Sequence, residues 1–447
     1  MNRNPWLVAG FALLLILAGC SKSNKVTNVK GLYAPVITGL HSDREPAVRG
    51  QDNLLTVLVT NVNGVALSYH WKASAGVFKD STVQTVTWTA PDSIGTYDIT
   101  VSIQGSESDQ GATNQYFKQQ TYHLYVDDDY LRWTEGETVK FDPAPPRDRD
   151  PDPAHPVLYS EFVDPSTGQS HVVSVGTPLA QPEALTDAFF QATSPTLRAD
   201  AAQIAFAGKA LQTDPGFSVY AIPSTGAGPD TTVAIALCRF ITNSNLNQDN
   251  PRFAPTGTLI AYNSDSTSSG NPKPWVRDAA NLGVAPYRLI PTFQQTVRTF
   301  WEANWRGTGD SVVCVQYLSF GSGTQLQTGI FKLPTTPPIS TVPPAWLADS
   351  SATEPDWSPD GNYIVFSRKN VGGDGDIWII RSDTNDKTRA IRVTSGPADD
   401  SHPRFSWDGK SIYFVSNRAD RYGLNGLFGT ERRGYNIWSV SGFDLPQ

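Results

Sequence analysis

Six histidines, His41, His70, His123, His155, His171 and His402, are the side chains here best suited to acid–base work or to holding a metal. None forms an HExxH pair, and no Gly-x-Ser-x-Gly elbow is present. His155, His171 and His402 can meet only through folding. His70 and Asp98 alternate with apolar neighbours, which predicts solvent-facing strand positions. Asp127-Asp128-Asp129 puts three carboxylates together, a pattern that can bind calcium but is more common in a solvated linker. Asp374-Gly375-Asp376 has no Glu downstream at calcium-loop spacing, so a plain turn is expected. Cys238 and Cys314 each sit in an apolar run with no second ligand nearby, which predicts buried thiols and no zinc. No complete catalytic constellation emerges, and neither a resident metal nor a cofactor is expected.

A third cysteine lies in a different setting. One positive charge at Arg3 precedes an almost wholly apolar run from Trp6 to Ala18, which ends in Leu17-Ala18-Gly19-Cys20. The run is short for a bilayer span and has the form of a secretory signal. Its end resembles the lipobox of bacterial lipoproteins. That resemblance implies cleavage before Cys20, with acyl chains on its thiol and its new amino group. Several acyl chains anchor a protein stably, where one does not. Ser21 follows the cysteine, which resembles an outer-membrane sorting signal. Residues 1–19 are thus expected to be a signal peptide and 20–30 a polar tether. Loss of Arg3 takes the formal charge from −8 to −9.

The elements that must position these residues are strands. The chain holds 36 Gly, 33 Pro and 12 Trp, with only 17% charged residues, a profile of many turns and aromatic strands. The net negative charge argues against nucleic acid as a partner. The one basic run of note, Glu431-Arg432-Arg433, reads as a solvated loop.

From residue 31 to 128 the apolar pattern has period two, in short runs separated by turns such as Asn63-Gly64. Leu54 to Thr60, Ala66 to Trp71, Gln84 to Trp88, Tyr97 to Ile103 and Thr121 to Val126 are the expected strands of a β-sandwich. Asp92-Ser93-Ile94-Gly95-Thr96-Tyr97 resembles the corner of immunoglobulin-like domains where a Tyr hydroxyl bonds back to backbone. Ile99 stands where an antibody domain has its Cys. Tyr69-His70-Trp71 and Trp88-Thr89-Ala90-Pro91 are similar to the Ig-like and PKD-like modules of bacterial surface proteins. Pro143 to Pro156 reads as a surface loop.

Beyond residue 129 the chain repeats itself. Glu354-Pro355-Asp356-Trp357-Ser358-Pro359-Asp360-Gly361 runs into Tyr363 to Ser367 and later Asp376-Ile377-Trp378. His402-Pro403-Arg404-Phe405-Ser406-Trp407-Asp408-Gly409 runs into Ile412 to Ser416 and Asn436-Ile437-Trp438. Fainter copies align positions 195, 251 and 303 with 355 and 403, and Val157 to Phe162 with His171 to Val175 makes a degenerate first copy. Asp360 and Asp408, like Thr256, Thr308 and Asp200, are expected to cap turns. Trp357, Trp378, Trp407 and Trp438 are expected to pack between blades. One such unit cannot bury both its faces, and units packed around an axis can. The motifs resemble the WD-like repeats of the TolB-type propeller family. The expected fold is all-β: an Ig-like sandwich at 31–128 and a six-bladed propeller at 129–447, with seven blades the alternative. The last copy stops after its third strand. Leu131-Arg132-Trp133 or Thr138 to Phe141 could supply the fourth and so remove the open edge.

Such a chain is expected to be a non-catalytic protein-binding scaffold, lipid-anchored in the cell envelope at Cys20. The resemblance implies an envelope protein partner. A surface glycan-binding or carbohydrate-active lipoprotein is the alternative, favoured if tryptophans lie exposed at the ring mouth. Ser264 to Pro274 and Tyr422 to Gly434 are the long loops where contacts are expected; no individual binding residue is singled out.

Overall fold

The computed structural model describes residues 34–44, 46–109, 112–134, 138–143, 157–164, 166–178, 180–226, 234–238, 248–264, 272–290, 298–319, 325–336, 343–418 and 434–446. Cys20, His155, the 431–433 run and most of both long loops lie outside them. Among the described residues, no helix is long and apolar enough to cross a membrane.

The N-terminal strands are β1 (Val36–Ser42), β2 (Ala47–Val48), β3 (Asp52–Thr60), β4 (Leu67–Ala73), β5 (Val77–Phe78), β6 (Thr85–Thr89), β7 (Gly95–Asp109) and β8 (Ala112–Asp127). They make two sheets, ordered β1-β3-β6-β5 and β2-β8-β7-β4. Alternation does the sorting: Leu55 and Val57 point inward while Leu54 and Leu58 are exposed. Leu40, Leu55, Val86 and Trp88 from one sheet meet Trp71, Ile99, Val101 and Leu124 from the other in a single core. The Tyr97 hydroxyl donates to the Ser93 carbonyl at 2.9 Å, the bond expected of the corner, and Ile99 is fully buried. His70 and Asp98 face solvent, and Asp98 pairs across the strands with exposed His123 at 2.7 Å.

After β9 (Leu131–Arg132) the chain builds six sheets. Blade one holds β10 (Thr138–Pro143), β11 (Leu158–Val163), β12 (Ser170–Val175) and β13 (Glu183–Ala184). Blade two holds β14 (Gln191–Leu197), β15 (Gln203–Lys209), β16 (Ser218–Pro223) and β17 (Ile235–Cys238). Blade three holds β18 (Gln248–Phe253), β19 (Leu259–Ser264), β20 (Lys273–Asp278) and β21 (Tyr287–Arg288). Blade four has three strands, β22 (Arg298–Trp305), β23 (Ser311–Ser319) and β24 (Gln325–Pro334), and a bridge from Ile330 to Leu347 takes the outer place. Blade five holds β25 (Ala352–Trp357), β26 (Tyr363–Lys369), β27 (Gly375–Arg381) and β28 (Ile391–Arg392). Blade six holds β29 (Asp400–Phe405), β30 (Ser411–Ser416) and β31 (Asn436–Ser441), and its fourth strand is β9. Among the described residues six blades close the ring, not seven, and of the two candidate closing segments it is Leu131-Arg132 that pairs, with Ser439 and Trp438.

The blade strands read as continuous apolar runs because both faces are buried. In β26, Ile364 and Phe366 pack toward blade four, while Val365 packs toward blade six. Six apolar clusters result, each shared by two neighbouring blades, including blade six with blade one. The first strands of the blades, β10, β14, β18, β22, β25 and β29, touch in sequence around the axis.

The expected turn chemistry is present. Asp360 accepts from the Ser358 hydroxyl at 2.5 Å and the Asn362 backbone at 3.0 Å; Asp408 repeats this with Ser406 and Lys410. Gly361 and Gly409 sit at φ 72° and 71°, where a side chain is strained. Asp374-Gly375-Asp376 is not itself the expected turn: the turn precedes it, Gly375 and Asp376 open β27 paired with Lys369 and Arg368, and Asp376 pairs with Arg392 at 2.7 Å. Cys314 is a free, buried thiol whose pKa burial raises; the Cys238 side chain lies outside the described residues.

Candidate functional site

Every blade's first strand carries an irregularity, and in blades two to six it falls at the same place. In blades two to six the register slips between Thr193 and Thr196, Asp249 and Arg252, Trp301 and Asn304, Thr353 and Asp356, and Ser401 and Arg404. The residue inside each slip is left-handed: Ser194, Asn250, Glu302, Glu354 and His402 have φ between 47° and 58°. Four of the five precede a proline, which has no N–H to lose where the ladder is broken. A bulge of this kind re-aims side chains, and non-glycine residues hold such a backbone only where the surroundings impose it.

The bulges arrange two layers of side chains around the axis. One layer is made by the bulge residues together with Lys140 of blade one. Lys140 Nζ donates to Asn250 Oδ1 at 2.5 Å, and the Ser194 hydroxyl donates to the same oxygen at 3.3 Å. On the other side of this layer stand Glu302, Glu354 and His402.

The second layer lies two residues on: Asp142, Thr196, Arg252, Asn304, Asp356 and Arg404. Its members latch blade to blade. Asp142 accepts from the Leu197 backbone at 2.8 Å, and Asp356 accepts from the Phe405 backbone at 3.1 Å. Arg252 donates to Asn304 Oδ1 at 3.0 Å and to the Pro195 carbonyl at 2.9 Å. Asn304 in turn donates to the Pro355 carbonyl at 2.7 Å. Burial pushes the Arg252 guanidinium down to about 10, with Arg404 adding to the effect. Burial also raises the Asp356 carboxyl, opposed by Arg404.

The second layer floors a cavity of about 330 Å³ at one mouth of the ring. Trp305, Trp357 and Trp407 line it, with Pro255 and Pro359 from the repeat turns. Arg404 is 5% exposed, and among the described residues neither its Nε nor Nε1 of Trp357 has a hydrogen-bond partner. Trp407 departs from the expected packing role. It stands at the turn position that Pro359 fills in the preceding repeat, so its ring leaves the blade interface, 38% exposed. Trp357 and Trp438 are buried as expected.

Of the residues singled out by chemistry, His402 lies on the axis, but its companions there are Glu302 and Glu354. His171 is on β12, its Nδ1 3.4 Å from the Thr186 carbonyl. Glu302 and Glu354 were missed, although each immediately precedes the aligned positions 303 and 355, as His402 precedes 403. Asp127, Asp128 and Asp129 do not converge; they pair separately with Arg418, Arg49 and Arg44.

No protein-family model matches this chain, and no curated protein does. Solved structures similar to it include TolB from Acinetobacter baumannii, 13% identical over 83% of this chain and 79% of that one, with a TM-score of 0.42. An auxiliary nutrient binding protein from Bacteroides thetaiotaomicron is 12% identical over 92% of this chain and 98% of its own, with a TM-score of 0.40. The β-propeller domain of the Trilobed protease from Pyrococcus furiosus is 10% identical over 69% and 84%, with a TM-score of 0.38. The strand pairing itself establishes the fold.

Proposed function

We propose that this chain is an extracytoplasmic lipoprotein, anchored at Cys20 in the outer membrane, whose propeller is a non-catalytic scaffold that grips an envelope protein. Residues 1–19 are then the signal, 20–30 the tether, 31–128 an Ig-like spacer and 129–447 the binding ring. The cavity at the mouth carries the reading. Its lining sets the polar side chains of Arg404 and Asn304 beside the apolar walls of Phe253, Trp305 and Trp357. That pairing suits a polar group on an apolar stem, such as a partner's loop residue. The latched second layer supports binding over catalysis, because Asp142, Arg252 and Asp356 are committed to holding blades together.

A glycan ligand is the second reading. The exposed ring of Trp407 at the mouth favours it, since an aromatic face can stack on a sugar.

The test is a crosslinked pull-down of the anchored protein from its own envelope, beside Trp407→Ala and Cys20→Ser forms. One envelope protein recovered by the parent and lost with Trp407→Ala supports the scaffold. Glycan without protein selects the second reading. Recovery unchanged by Trp407→Ala overturns the mouth as the binding site.

A further inference from the structure

We propose that Glu302, Glu354 and His402 form a site for a divalent first-row transition ion, with Zn²⁺ the best match, clamping blades four, five and six at the axis. The inference goes beyond the mouth described above and stands in the other layer of side chains.

The three residues are far apart in sequence and come from three different blades. Their ligating atoms all lie within 4.8 Å of one another. His402 Nε2 is 3.3 Å from Glu354 Oε1 and 3.9 Å from Glu302 Oε1. Two ligand atoms bound tetrahedrally to zinc stand about 3.3 Å apart, so the set needs only a small contraction. One imidazole with two carboxylates suits zinc and its neighbours; calcium and magnesium take oxygen alone for the most part.

Each ligand is already oriented. Glu354 uses Oε2 to accept the His402 backbone N–H at 2.6 Å, which leaves Oε1 turned to the imidazole. His402 places Nδ1 3.3 Å from the Ser401 hydroxyl, so Nε2 is the nitrogen offered to an ion. The left-handed bulges at 302, 354 and 402 aim all three at one point.

Charge gives the second argument. The two carboxylates are half-buried, at 17% and 18% side-chain exposure, and they share one ion-pair partner, the His402 imidazole. Across the layer, Lys140 is held by Asn250 and Ser194 completes that bond, so this cation is engaged elsewhere. A dication would neutralise the pair at its centre. Room for further ligands exists: Glu354 and His402 line a cavity of about 260 Å³ with Ser401, Asp399 and Tyr435.

The experiment uses the full chain with a tag free of histidine, stripped with chelator and then desalted after exposure to Zn²⁺, Mn²⁺, Co²⁺ or Ca²⁺. The expected result is about one retained equivalent of Zn²⁺, a raised Tm, and visible d–d absorption with Co²⁺. Glu302→Gln and His402→Gln should each weaken Zn²⁺ by at least about tenfold, with the chelator-treated Tm close to that of the parent. An ion pair alone would give no retained ion in the parent, and that result overturns the proposal whether or not the variants fold. Retention equal in parent and Glu302→Gln also overturns it.

Discussion

Arg418 of the sixth blade contacts Asp127, the last residue of sandwich strand β8, at 2.8 Å, and both side chains are fully buried. Its other arm reaches Asp400 at 2.8 Å, also buried. The guanidinium lies over the Tyr130 ring, 3.9 Å from the centroid. One cation thus holds the last strand of the sandwich against the first strand of the last blade. Burial raises the Asp127 carboxyl to about 7, with Arg418 opposing the rise.

Arg418→Met leaves two buried carboxylates with no cation between them. It should cost about 3–5 kcal/mol near neutral pH. Without Arg418 both carboxyl pKa values rise further above their unfolded values. The folded form then gains by holding protons, so the deficit should shrink as pH falls toward about 5. Urea denaturation at both pH values checks this; a deficit that does not depend on pH would assign the loss to packing alone.

Trp133 follows the closing strand and is fully buried, its backbone N–H on the Ile437 carbonyl at 2.8 Å and its Nε1 on the Ser439 hydroxyl at 3.0 Å. Trp133→Ala should cost about 3–5 kcal/mol. Limited proteolysis should then cut first around blades six and one. Cleavage starting elsewhere would show that closure does not depend on this residue.

Lys273 opens β20 with no exposed surface, and burial, with Arg288 nearby, lowers its pKa to about 8. Between about pH 8 and pH 10.4 the unfolded chain holds the proton that the folded chain has released. Stability should therefore climb with pH across that window, by on the order of 3 kcal/mol from this group. Lys273→Met should remove that part of the climb, read as urea midpoints across the range.

The Tyr97 hydroxyl bond to Ser93 is local and partly exposed. Tyr97→Phe should cost about 1 kcal/mol and leave the propeller's behaviour at the mouth unchanged. A loss of several kcal/mol would mean that the corner governs the whole sandwich.

The repeat was the most legible part of the sequence. Positions 195, 251, 303, 355 and 403 each follow a left-handed bulge residue, and the aligned turns around Asp360 and Asp408 fold alike. The missing fourth strand of the last copy pointed back to Leu131-Arg132-Trp133 or Thr138 to Phe141, and it is Leu131-Arg132 that pairs there. The axial residues were harder to read. Glu302, Glu354 and His402 carry no local spacing signal, because only ring closure brings them together. Aligning the copies and reading the column just before 303, 355 and 403 would have exposed them. Trp407 misled for a related reason: it sits in a turn column filled by proline in the preceding copy, not in a strand column. The three aspartates at 127–129 looked like one site because they adjoin in sequence. Successive residues project in different directions, and each found its own arginine.

The pairing of β9 with β31 also fixes an order in time. A chain made from its N-terminus completes the sandwich and β9 long before Asn436–Ser441 exists. Until then β9 is an unpaired edge, and Asp127 lacks its buried partner until Arg418 has been made. A chain cut short before Asn436 therefore keeps that edge open, and one cut short before Arg418 also leaves that carboxylate without its cation. Closure is a completeness check: the ring seals only around a chain whose last strand has been delivered.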